Sequence, residues 1–111
     1  MKEYVFLFRG GLDLNNSSPD EIQKAMAKWK AWVDDLAKQG KFTGGHRLTD
    51  AGSVMKEKKH FTDGPYAESK EVIGGFISVK AGSLKEAEEI AKGCPIFDYN
   101  GFLEVREIAA M

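Results

Sequence analysis

Arg9, His46, Asp63 and Cys94 carry side chains that could do chemistry, and each adjoins a glycine in this 111-residue chain. His46 follows Gly44-Gly45. Imidazole as a class titrates near neutral pH, so a histidine placed in a cavity can act as a general base, although a lone histidine on a strand can equally be a hydrogen-bonding residue. Asp63 lies in Thr62-Asp63-Gly64-Pro65-Tyr66. A turn of that composition can aim a carboxylate into a cleft, and it can equally use the carboxylate to cap its own backbone N–H groups. His46 and Asp63 are therefore the candidate catalytic pair. Arg9 ends an apolar run, where a guanidinium can grip a carboxylate or phosphate bidentately or pair with an acid of the fold. With Arg9, the candidate ligand-binding residues are Trp29, which could line a cavity between helix and sheet if it does not pack in the core, and Tyr66, whose ring carries a hydroxyl.

Cys94 follows a helix C-terminus, where the dipole disfavours a thiolate, so it is not expected to be a nucleophile. Two histidines and one cysteine, without HxH or CxxC spacing, predict no protein-held metal. Gly10-Gly11 stands between a strand and a helix, yet neither GxGxxG nor a Gly-Lys-Ser/Thr ending is present, so the pair is read as loop punctuation and no cofactor is expected.

The elements that must position these residues follow from periodicity and caps. Residues 4–8, Tyr-Val-Phe-Leu-Phe, are apolar on both sides and predict a central strand. Ser18-Pro19-Asp20-Glu21 is a capping box with proline in the first turn. The helix it opens has its apolar stripe at Ile22, Ala25, Met26, Trp29, Trp32, Val33 and Leu36, and Gly40 stops it. Residues 41–48 and 53–62 predict two strands joined near Asp50-Ala51-Gly52, with Lys56-Glu57-Lys58-Lys59-His60 as a solvated edge. Residues 73–80 predict another strand, Ser83-Leu84-Lys85-Glu86 caps a second helix through about Lys92, and residues 102–108 alternate as a closing strand. This order predicts one largely antiparallel sheet with both helices on one face, a ferredoxin-like α+β protomer forming a single domain over 1–111. Such a sheet leaves an apolar face bare, and a second copy is its simplest cover.

Bulk properties narrow the partners. Sixteen basic against 17 acidic residues give a net charge of −1, without the cationic surplus that nucleic acid requires. No run approaches the roughly 20 apolar residues of a membrane helix, and Met1-Lys2-Glu3-Tyr4 lacks a signal-peptide core. With a single cysteine and so no internal disulfide, the expectation is a cytoplasmic protein with no membrane partner.

Thr62-Asp63-Gly64-Pro65-Tyr66-Ala67-Glu68, then Lys70-Glu71 and Gly74-Gly75-Phe76, resemble the signature of the YCII-related family in its Asp-Gly-Pro-Phe (DGPF) branch, with Tyr66 in place of the usual Phe. The likeness extends to Phe8-Arg9-Gly10-Gly11, the tryptophan-bearing helix, Gly44-Gly45, Gly93-Cys94-Pro95 and Glu104-Val105-Arg106. It implies a dimeric α+β barrel with a cavity near the dimer interface. It also implies a His–Asp dyad, proposed as catalytic in other members, whose positions correspond to Trp29 and Cys94 here, so the dyad is not kept. The leading expectation is a homodimer that binds a small, partly apolar molecule, anionic at the end facing Arg9. The alternatives are a cofactor-free enzyme of the monooxygenase or isomerase type using His46 and Asp63, and a regulatory module linked to alternative sigma factors, the last implied by the resemblance alone.

Overall fold

The structure is a computed structural model that describes residues 1–64 and 72–110. Its elements are β1 (Lys2–Arg9), α1 (Pro19–Lys38), β2 (Phe42–Arg47), β3 (Gly52–Glu57), β4 (His60–Gly64), β5 (Ile73–Ala81), α2 (Leu84–Ala91), a 3₁₀ turn (Pro95–Tyr99) and β6 (Phe102–Glu107). Strands β2-β5-β1-β6 form one antiparallel sheet in that spatial order, with the chain's most apolar strand at its centre. No helix among the described residues is long and apolar enough to cross a membrane.

Strand alternation divides the sheet into two faces. Tyr4, Phe6 and Phe8 of β1, with Ile77, Val79 and Ala81 of β5, are buried beneath the helices. Their register partners Leu103 and Val105 on β6 and Phe42 on β2 pack against the same cluster. Leu36 of α1 and Ala87 and Ala91 of α2 close this core from above, so both helices lie on one face. Each helix starts as its sequence dictates. Ser18 accepts from the Glu21 amide at 3.2 Å while Glu21 reaches back to the Ser18 amide, and Ser83 accepts from the Glu86 amide at 3.1 Å.

Two differences from the sequence reading concern the middle of the chain. Residues 53–62 do not make one strand: the chain reverses at Lys58-Lys59, and β3 pairs with β4 as a separate two-stranded hairpin, with Ser53 opposite Asp63 and Met55 opposite Phe61. The expected single sheet is thus a four-stranded sheet plus this hairpin. The lysine pair that reads as a solvated edge serves as a hairpin turn, where charged residues are equally at home.

The glycine pairs have local causes. Gly10 and Gly11 have φ of 70° and 94°, which lets the chain leave β1 abruptly, a left-handed path that a side chain would strain. At Gly45 the limit is space: a Cβ there would lie 2.4 Å from the Phe76 carbonyl oxygen, so only glycine lets β2 approach β5. The register shifts between Phe42 and Gly44, and Ser78 clasps this irregularity, receiving a hydrogen bond from Thr43 Oγ1 at 2.6 Å and donating to the Gly44 carbonyl at 3.4 Å.

Candidate functional site

Among the described residues, no helix lies on the opposite face of the sheet. Val5, Leu7 and Arg9 alternate with the buried residues of β1, Phe76 and Ser78 do the same on β5, and each is only partly shielded. Register aligns these side chains in rows. His46 on β2 stands opposite Phe76, Phe76 opposite Leu7, and Leu7 opposite Glu104 on β6, which makes one row of imidazole, ring, aliphatic group and carboxylate across four strands. At about 4.8 Å per strand the row spans about 14 Å. One step along β1, Arg9 stands opposite Ile73 and Phe102, and Phe102 is 46% exposed.

His46 is exposed, with its ring edge-on to Phe76 at 5.9 Å. Gly45 and the clasped irregularity fix this strand's approach to β5 and thereby the imidazole's station beside the ring. Arg9 donates from Nη2 to Glu104 Oε1 at 3.2 Å, while Arg106 Nε lies 3.9 Å from the other oxygen of the same carboxylate. Of the two uses open to Arg9 in the sequence, pairing with an acid is thus realised, on the open face of the sheet. Glu104 is the residue that sequence reasoning missed. It lies 95 residues from Arg9 and is joined to it only by strand register, and its one local sign is that it alternates with Leu103 and Val105.

Asp63 lies within β4 rather than on a turn. It is exposed, and among the described residues it shares no hydrogen bond or ion pair with His46. Tyr66 falls outside the described residues. Trp29 sits on the helix side of the sheet, edge-on to Phe8 at 4.8 Å and to Trp32 at 5.8 Å, so it belongs with the core aromatics and not with Arg9 and His46. The wide apolar stripe on α1 arises because two indoles fill the gap between helix and sheet, and Met26, counted in that stripe, is 51% exposed.

Cys94 is 3% exposed, and burial pushes its thiol up to about 12. A thiol so disfavoured as an anion is a packing residue. A concavity of about 360 Å³ lies between α1 and α2, floored by Trp32, Leu36 and Ile90 and rimmed by Asp35, Glu86 and Glu89. Those carboxylates are engaged: Asp35 by Gln39 Nε2 at 2.9 Å, Glu86 by the Gly82 amide at 3.1 Å and Glu89 by Lys92 at 2.7 Å.

Comparison with known proteins agrees with this architecture. A solved structure of 5-chloro-2-hydroxyhydroquinone dehydrochlorinase (TftG) from Burkholderia phenoliruptrix AC1100, in complex with 2,5-dihydroxybenzoquinone, superposes with a TM-score of 0.56 at 15% identity, covering 96% of this chain and 93% of that one. At that identity the likeness concerns the fold, which the two proteins share. No curated protein sequence matches the chain. The model of the YCII-related domain matches residues 12–111, and the chain belongs to that family.

Proposed function

We propose that this chain is one protomer of a cytoplasmic homodimer of the dimeric α+β barrel type, in the DGPF branch of its family, and that it holds a small, partly apolar, anionic molecule between its open sheet face and the second copy. One observation carries the reading: Arg9, His46, Phe76, Leu7 and Glu104 share a sheet face that no helix among the described residues covers. Phe76 and Leu7 offer apolar surface, Ser78 and His46 offer hydrogen bonds, and the Arg9 guanidinium offers a bidentate partner once an incoming anion competes with Glu104. Covering the face lowers the local dielectric and strengthens that ion pair. The ligand class is in keeping with the small oxygen-substituted ring bound by TftG.

The test is a calorimetric titration with 2,5-dihydroxybenzoquinone and with simple aromatic carboxylates as probes. Binding is expected to weaken by about tenfold or more in Arg9→Gln, the magnitude of losing one charge-assisted contact. Equal affinity in wild type and Arg9→Gln would remove Arg9 from the site.

A second reading, a cofactor-free enzyme, is favoured by the exposed imidazole beside Phe76. In it His46 moves the proton, and the covered face orients and desolvates the substrate. Asp63 contributes only if something other than its own strand brings it near. Turnover is then lost in His46→Ala, and a rate unchanged in both His46→Ala and Asp63→Ala discards this assignment.

A further inference from the structure

We infer that Arg106 joins Arg9 in gripping the ligand, and that the ligand is an aromatic monocarboxylate whose acid group takes the place now held by the Glu104 carboxylate. The inference rests on the open-face site proposed above and names the chemical class which that site takes.

Its starting point is a carboxylate between two guanidiniums. Phe102 stands opposite Arg9, Glu104 opposite Leu7 and Arg106 opposite Val5, so these three residues of β6 alternate with Leu103 and Val105 and rise on the same side of the sheet as Arg9. Arg9 Nη2 lies 3.2 Å from one oxygen of Glu104, a hydrogen bond, and Arg106 Nε lies 3.9 Å from the other, an ion-pair distance. The face therefore already recognises one carboxylate from two sides, and does so with the side chain whose planar fork matches that group. The group recognised is a residue of the fold, held there by its own strand.

That residue can be displaced. β6 is an edge strand of the four-stranded sheet, and the side chains of Glu104 and Arg106 are 44% and 68% exposed. Ion pairs this open to water are weak, because water competes for both partners. Glu104 can thus turn outward over the edge and leave both guanidiniums to an incoming acid group. What an aromatic acid brings, and Glu104 lacks, is an apolar body. Inward from Glu104 the row continues with Leu7, then Phe76, then His46. A ring attached to the acid group lies over Leu7 and Phe76, where its burial adds to the ionic contact. A hydroxyl at its far end meets the imidazole. The order of groups along the row is the order of groups along such a molecule.

The experiment is calorimetry with trans-4-hydroxycinnamate and with its primary amide, which keeps the outline and removes the charge. Wild type is expected to bind the acid about tenfold or more tighter than the amide, and Arg106→Gln to lose about tenfold for the acid alone. The unfolding midpoint of Arg106→Gln is expected to match wild type, as suits so exposed a side chain. An acid that binds wild type and Arg106→Gln equally but Arg9→Gln more weakly overturns the second grip and leaves the open-face site standing. Equal losses for acid and amide in Arg106→Gln also overturn it, since the arginine would then shape the face without reading the charge. A wild type that binds 2,5-dihydroxybenzoquinone and neither cinnamoyl probe overturns the carboxylate class and keeps the site. Failure to bind any of the three overturns both.

Discussion

At the scale of single residues, the open face separates charges that matter from charges that are merely present. Glu104 sits between Arg9 and Arg106 and answers the guanidinium that the ligand is proposed to use. An exposed pair of this kind contributes little to stability, on the order of 0–1 kcal/mol. Glu104→Gln is therefore expected to leave thermal unfolding almost unchanged and to tighten the binding of anionic probes, because the Glu104 carboxylate no longer competes with them for Arg9. A loss of affinity in calorimetry would mean that Glu104 orients Arg9 rather than competes for it. Cys94 gives a prediction of the opposite kind. Its folded thiol is pushed up to about 12 against an ordinary 9.0, so between those values the unfolded chain binds fewer protons than the folded one, and stability falls as pH rises. Wild type is expected to lose up to about 1.4 kcal/mol per pH unit more than Cys94→Ala across that window. Parallel urea midpoints for the two proteins from about pH 9 to about pH 11 would contradict it.

At the scale of elements, what the sequence made legible was whatever is decided within a few residues. Both helices were legible because Ser18-Pro19-Asp20-Glu21 and Ser83-Leu84-Lys85-Glu86 fix their starts locally, and β1 was legible because five consecutive apolar residues leave it no place but the centre of a sheet. The reversal at Lys58-Lys59 was not, since it lacks the glycine, asparagine or proline that marks most tight turns. The candidate site was half legible. Arg9 and His46 stood out by residue type, but their sharing of a face, the exclusion of Trp29 to the other side and the presence of Glu104 all depend on register between strands far apart in sequence. Two element-level substitutions test the local account. Ser18→Ala removes the α1 cap and is expected to cost about 1 kcal/mol in denaturant unfolding. Gly45→Ala drives a methyl group to 2.4 Å from the Phe76 carbonyl oxygen, and the forced shift of β2 is expected to cost about 1–3 kcal/mol and to displace His46 from Phe76. The second effect is readable as a change in the His46 ring shifts by NMR, and it separates positioning from stability because Ser18→Ala should leave those shifts alone.

At the scale of the whole molecule, the decisive quantity is how apolar surface is distributed between the two faces of one sheet. The helix side is closed by Leu36, Ala87, Ala91 and the two indoles, whereas the other side presents Val5, Leu7, Phe76 and Phe102 with no helix above them among the described residues. A stable association buries about 800 Å² on each partner, and the open face with its borders is the surface proposed to supply it. If the second copy supplies the missing layer, folding and association are linked, and the unfolding midpoint must depend on concentration. A hundredfold rise in protein concentration adds RT ln 100, about 2.7 kcal/mol of dimer. Shared between two protomers, that raises the midpoint by about 5 °C for a domain of this size. Phe102→Glu, which changes a side chain already 46% exposed in the lone protomer, is expected to abolish this dependence while leaving helix content intact by circular dichroism. A midpoint that stays constant with dilution in the wild-type protein would mean that the open face is stable against water, and the cavity proposed above it would have no roof.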